Sequence, residues 1–120
     1  MPQELLLCDF HIHTSFSDGV MDLTDVVDLY GKHGFDVIGI SDHIVDQESQ
    51  QRSPSGRAGT WWMEPHHMDR YLHAIWAEAR RAWEQYRLLV IPGAELTNNT
   101  QGYHILAIDI KDHISPGGSV

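Results

Sequence analysis

His11 and His13 stand two residues apart at the end of an apolar run, residues 5–12. On a strand that spacing points both side chains to one face, close enough to share a metal ion. His43 follows a second apolar run, residues 37–40, and Glu95 closes a third, residues 88–96. His104 lies at the start of a fourth, residues 103–110, and Asp18 in the polar loop after the first. Imidazole plus carboxylate is a ligand set for Zn, Mn or Fe. A carboxylate such as Glu95 has two oxygens and can bridge two ions. Paired ions activate a water and neutralise a phosphoryl group during in-line attack, so the chemistry that fits these residues is phosphoester hydrolysis. The single cysteine, Cys8, excludes a thiolate cluster for iron–sulfur work and an internal disulfide.

The elements must bring these residues together. The run at 5–12 reads as a strand buried on both faces, as in a parallel sheet. Residues 23–34 read as a helix, with apolar positions 23, 26, 27 and 30 at helical spacing and Gly34 as its cap. Residues 37–40 form a second buried strand. Residues 45–60 carry no periodicity and read as a polar loop. Residues 68–86 predict a long helix whose packed face holds Tyr71, Leu72, Ile75, Ala79, Ala82, Trp83 and Tyr86. The third and fourth strands follow. Only Thr97-Asn98-Asn99-Thr100-Gln101-Gly102 joins them, too short for a parallel crossover, so strand four should run antiparallel to strand three. This order is α/β. It puts His11, His13, His43 and Glu95 at the carboxyl ends of strands, where α/β sites gather, with His104 across from Glu95 and Asp18 within reach.

The chain has 120 residues, enough for one domain. Its formal charge is −9, which argues against a long nucleic acid as partner. It also fits carboxylates gathered where cations offset their repulsion. Nine histidines exceed ordinary usage, so some should do chemistry. No apolar run is long enough to span a bilayer, and no basic region precedes the first one, so we expect no membrane and a cytoplasmic setting. The lone Cys8 agrees with a reducing compartment.

Other residues read as supporting cast. Asp9 shares the face of the two histidines but lies deeper, where it would hydrogen-bond to a ligand; Asp42 is given a similar or structural part. Arg52 and Arg57 in the long loop could clamp a phosphate, although mobile solvated charge is the plainer reading. Trp61 and Trp62 could cover a substrate base or anchor the loop to the core. His66 and His67 read as surface, and His33 as a helix-end contact.

Several stretches together resemble the polymerase and histidinol phosphatase (PHP) family: Asp9-Phe10-His11-Ile12-His13-Thr14, Ser17-Asp18-Gly19, Ser41-Asp42-His43, Pro92-Gly93-Ala94-Glu95-Leu96-Thr97 and Tyr103-His104-Ile105-Leu106. Their order and spacing match the family's first three motif regions. The resemblance implies a distorted (β/α)7 barrel with up to three divalent ions. His11 and His13 would bind the first, Glu95 would bridge the first and second, His104 would bind the second, and Asp18 and His43 the third. Glu95, His11 and His13 would form the catalytic centre, where a metal-activated hydroxide attacks a small phosphorylated substrate or nucleotide.

The family's later motifs, another His and a C-terminal Asp-x-His, have no counterpart before Val120; Asp112-His113 has the wrong spacing. The expectation is therefore that residues 1–120 form the N-terminal portion of a PHP domain, about half of the barrel. The alternative is a catalytically inactive metal-binding or scaffolding module, or a fragment that needs its missing half. Open sheet edges would invite self-association.

Overall fold

A computed structural model describes residues 4–52 and 61–117 of the chain, without the side chain of Arg52. The elements are β1 (Cys8–Ile12), α1 (Leu23–Lys32), β2 (Val37–Ile40), β3 (His43–Val45), α2 (Gln47–Arg52), a 3-10 turn (Pro65–His67), α3 (Met68–Tyr86), β4 (Leu89–Asn98) and β5 (Tyr103–Ile108). They make a mixed α/β unit with a curled, open sheet. No helix among the described residues is long and apolar enough to cross a membrane.

β1, β2 and β4 are parallel neighbours. β3 continues β2 along the same edge of β4. Ile40 faces Pro92 and His43 faces Glu95, three residues further on both strands, so the register survives the interruption at Ser41 and Asp42. Backbone bonds continue through both: Ser41 N–H donates to the Ile12 carbonyl on β1 at 2.7 Å, and the Asp42 carbonyl accepts Glu95 N–H on β4 at 3.0 Å. β5 pairs antiparallel with β4, as the short linker demands. Its turn closes on Asn98, whose carbonyl accepts Gly102 N–H and whose side chain accepts Gln101 N–H, each at 2.8 Å. Gly102 sits at φ +77°, where a side chain would be strained.

The helices obey their sequence signals. α1 buries Leu23, Val26 and Val27 and ends in a Schellman motif. Gly34, at φ +76°, donates to the Gly31 carbonyl, Phe35 N–H donates to that of Tyr30, and the two rings pack edge-on at 4.6 Å. α3 buries Met68, Tyr71, Leu72, Ile75 and Ala82 against α1 and the sheet. Arg81 ties the two helices, donating to Asp28 and Glu78 at 2.7 Å each.

Three expectations need correction. The run at 5–12 is not a doubly buried strand: β1 starts at Cys8, and Leu5 is 92% exposed, with Leu6, Leu7 and Phe10 also exposed. Among the described residues β1 has a strand neighbour on one side only, so apolar composition does not bring burial. Residues 45–60 are not all loop, since β3 ends at Val45 and α2 follows. α2 lacks apolar periodicity; Asp46 starts it, with its carboxylate accepting Ser49 N–H at 3.0 Å. Trp83 lies outside the packed face, half exposed beneath the Arg87 guanidinium.

Candidate metal centre

A bulge shapes the first strand. Between the Asp9–Ile38 and Ile12–Ile40 pairs β1 spends one residue more than β2, which places the irregularity at Phe10 and His11. Asp9 Oδ1 accepts His11 N–H at 3.0 Å, and its other oxygen accepts the Tyr30 hydroxyl at 2.7 Å. Asp9 thus secures the backbone beneath His11, bonding to its N–H and not to its ring. Bulges re-aim side chains, and here His11 and His13 converge on one oxygen of Glu95. The His11 Nε2 lies 2.9 Å from Glu95 Oε2 and the His13 Nε2 2.7 Å from it.

The loop after β1 is held by Asp42. This fully buried carboxylate accepts Thr14 N–H at 2.7 Å, the Thr14 hydroxyl at 2.7 Å and the Ser17 hydroxyl at 2.6 Å. Burial raises its pKa, against the hydrogen bonds of Ser17 and Thr14. The loop returns Asp18 towards His13, with Asp18 Oδ1 at 2.9 Å from His13 Nδ1 and Oδ2 at 3.4 Å from His43 Nε2. Gly19 lets the loop close, because a Cβ there would meet the His13 carbonyl at 2.5 Å.

Glu95 lies at the centre. Its Oε1 is 2.8 Å from His104 Nδ1, while Oε2 faces His11 and His13 and lies 3.7 Å from His43 Nδ1. Its side chain is 5% exposed, whereas His11 and His104 are 53% and 51% exposed and form the rim. Burial pushes the Glu95 carboxyl up, but hydrogen bonds with His11 and His104, the charge of His43 and the hydrogen bond with His13 outweigh it and hold the group at about 2. Burial lowers the His43 pKa, as does the charge of His13, against Asp18 and Glu95. A neutral imidazole beside an ionised carboxylate is the state a cation needs.

Two triads gather their ligand atoms within 4.8 Å: His11, His13 and Glu95, and His13, Asp18 and His43. Their donors, imidazole nitrogen and carboxylate oxygen, suit Zn, Mn or Fe. All six residues singled out from the sequence therefore meet in one place. Arg57 lies outside the described residues, as does the side chain of Arg52. His66 is exposed in the 3-10 turn, its ring 4.0 Å from that of His67. The His33 ring contacts the Leu29 carbonyl at the end of α1.

Sequence reasoning missed Thr97 and Asn99. The Thr97 Oγ1 lies 2.7 Å from His43 Nδ1, and the Asn99 Oδ1 lies 3.3 Å from His104 Nε2. Thr97 was open to discovery, because it stands two residues beyond Glu95 on the same strand face. Trp61 packs edge-on against His43, with ring centroids 5.1 Å apart, and meets Trp62 at 5.4 Å, so it walls the cluster on the His43 side. Set beside known proteins, the chain matches no family model and no curated protein.

Proposed function

We propose that this chain is the metal-binding part of a divalent-metal-dependent phosphoester hydrolase of the PHP kind. The observation that carries the reading is the Glu95 carboxylate, buried and ionised, with His11 and His13 on one oxygen and His104 on the other. This is the disposition expected of a carboxylate that bridges two cations. Divalent cations at these residues would supply charge neutralisation for a phosphoryl group and a nucleophile from water near neutral pH. The chain's own residues prepare for that. Neighbouring imidazoles keep Glu95 charged against the effect of burial, Thr97 fixes the His43 ring, and Trp61 narrows the approach on the His43 side. The half-exposed His11 and His104 leave the rim open to a small phosphorylated substrate or nucleotide.

A second reading is a metal-binding module that needs more chain to become active. The exposed apolar flank of β1, Leu5 to Leu7 with Phe10, favours it, because an open strand edge beside a site invites a further strand or a second copy. One experiment addresses both readings. Purified protein is analysed for bound metal and assayed on a generic phosphomonoester with Mn or Zn, beside His11→Ala and Glu95→Gln. Cation uptake with turnover that both substitutions abolish supports the hydrolase. Uptake without turnover supports the module. Absence of uptake at every loading condition defeats both.

A further inference from the structure

The two triads share one residue, and that sharing has consequences for how many cations the chain holds. His13 sits between two carboxylates, with Nε2 2.7 Å from Glu95 Oε2 and Nδ1 2.9 Å from Asp18 Oδ1. A neutral imidazole has one N–H and one lone pair, so it offers a cation one ligand atom at a time. We propose that Asp18 is a positioning residue and not a ligand: it accepts the Nδ1 proton of His13 and so reserves Nε2 for a single divalent cation held with His11 and Glu95. The inference rests on the metal reading of the site, and departs from the PHP pattern, which would give Asp18 to a third ion.

Three observations favour this assignment over a cation at His13, Asp18 and His43. First, Glu95 is the buried carboxylate, and two imidazole nitrogens lie within 2.9 Å of one of its oxygens. Asp18 is the more exposed carboxylate, and its contact with His43 is long at 3.4 Å. Second, Asp18 lies closer to His13, at 2.9 Å from Nδ1, than to His43, at 3.4 Å from Nε2, so its carboxylate is set on the His13 ring. Third, a ligating imidazole that donates its remaining N–H to a carboxylate is the usual outer arrangement of a metal site, because it fixes tautomer and ring orientation. Once His13 serves the first position, the second retains Asp18 and His43 alone among the described residues, too few for tight binding.

Zinc titration of the full chain, read by native mass spectrometry for stoichiometry and by calorimetry for affinity, tests the proposal. We expect one tightly held zinc per chain, since among the described residues His104 is the one imidazole on the other oxygen of Glu95 and leaves a cation on that side short of ligands. Asp18→Ala should keep that count and weaken affinity by about 10- to 100-fold. Asp18→Asn, whose carbonyl still accepts the Nδ1 proton, should recover most of the loss; a purely electrostatic effect of the lost charge would leave it as weak as the alanine variant. His43→Ala should keep the count at one, and its cobalt-substituted form should keep the parent absorption spectrum. Two tight zinc ions per chain, with Asp18→Ala and His43→Ala each losing one, would overturn the proposal, as would an Asp18→Ala protein that binds like the parent. A parent chain that binds no zinc would bring down the metal reading itself.

Discussion

The Nδ1 of His104 lies 2.8 Å from Oε1 of Glu95, on the opposite oxygen from the one shared by His11 and His13. The hairpin sets up this contact, since β5 runs back along β4 and pairs Thr97 with His104. Glu95→Gln keeps the shape and removes the charge. Its amide nitrogen would have to face imidazole on one side of the group, and a cation would lose an anionic ligand. We expect zinc affinity measured by calorimetry to fall by at least about 100-fold, more than the loss of an outer hydrogen-bond partner. Unchanged affinity would remove Glu95 from the centre of the site.

Glu95 and Asp42 respond to acid in opposite senses. Glu95 is held at about 2, against 4.5 when unperturbed. In metal-free protein the unfolded chain takes up this proton first as pH falls. The stabilisation is therefore complete above about 4.5 and is lost progressively towards 2; it is on the order of 3 kcal/mol. Asp42 is raised by burial above 3.8, so its ionised form costs stability and acid relieves that cost. Urea midpoints measured from about pH 6 to about pH 2.5 should fall in the parent, fall less in Glu95→Gln and fall more steeply in Asp42→Asn. The reverse order would show that the His cluster does not hold Glu95 ionised.

Gly93 occupies the middle of β4, where backbone closes in from both sides. A Cβ there would lie 2.6 Å from the Ala107 carbonyl oxygen on β5 and 2.9 Å from that of Ile40 on β2. Neither can retreat without parting strands. Gly93→Ala should cost about 1–3 kcal/mol in urea denaturation and, two residues from Glu95, weaken zinc binding as well. Gly34→Ala is the control. Its position is strained for a side chain, at φ +76°, but has open space around it, so it should cost about 1 kcal/mol and leave zinc affinity alone. Equal effects of the two on zinc binding would disconnect β4 geometry from the site.

The legible parts of this molecule are those set by short-range rules. His11 and His13 announce themselves through strand period, α1 through its spacing and Gly34, and α3 through an apolar stripe that matches Met68–Tyr86. The hairpin follows from a linker too short for a crossover. The bulge at Phe10 and His11 leaves no mark in local composition, because it depends on register with β2. β3 escapes notice because Ser41 and Asp42 break the apolar run, although backbone pairing continues through them. The exposure of Leu5 to Leu7 is equally hidden, since an apolar run reports what a strand would bury and not which neighbours it has. The six site residues were readable as a set because each stands near an end of an apolar run or in the loop beside one, although β4 continues to Asn98 and leaves Glu95 inside the strand. Their pairing was not, and Asp18 shows why: its contact with His13 depends on a loop folded around Asp42.

Asp42 touches none of the imidazoles, yet it determines where two of the six residues sit. Its oxygens receive Thr14 N–H and the hydroxyls of Thr14 and Ser17, within the segment between His13 and Asp18. Asp42→Ala leaves a buried N–H and two hydroxyls without their acceptor, each a cost of about 1–3 kcal/mol where water cannot enter. We expect a loss of about 3 kcal/mol or more in urea denaturation, with zinc affinity reduced because the loop no longer holds Asp18 against His13. Asp42→Asn is the informative partner. Its carbonyl can keep Thr14 N–H and the Ser17 hydroxyl, and the Thr14 hydroxyl can rotate to accept from the new amide. It also removes a buried charge, which burial already disfavours. The asparagine variant should therefore stay within about 1 kcal/mol of the parent and keep its zinc affinity. Were it as damaged as the alanine variant, the charge of Asp42 rather than its hydrogen bonds would be organising the loop.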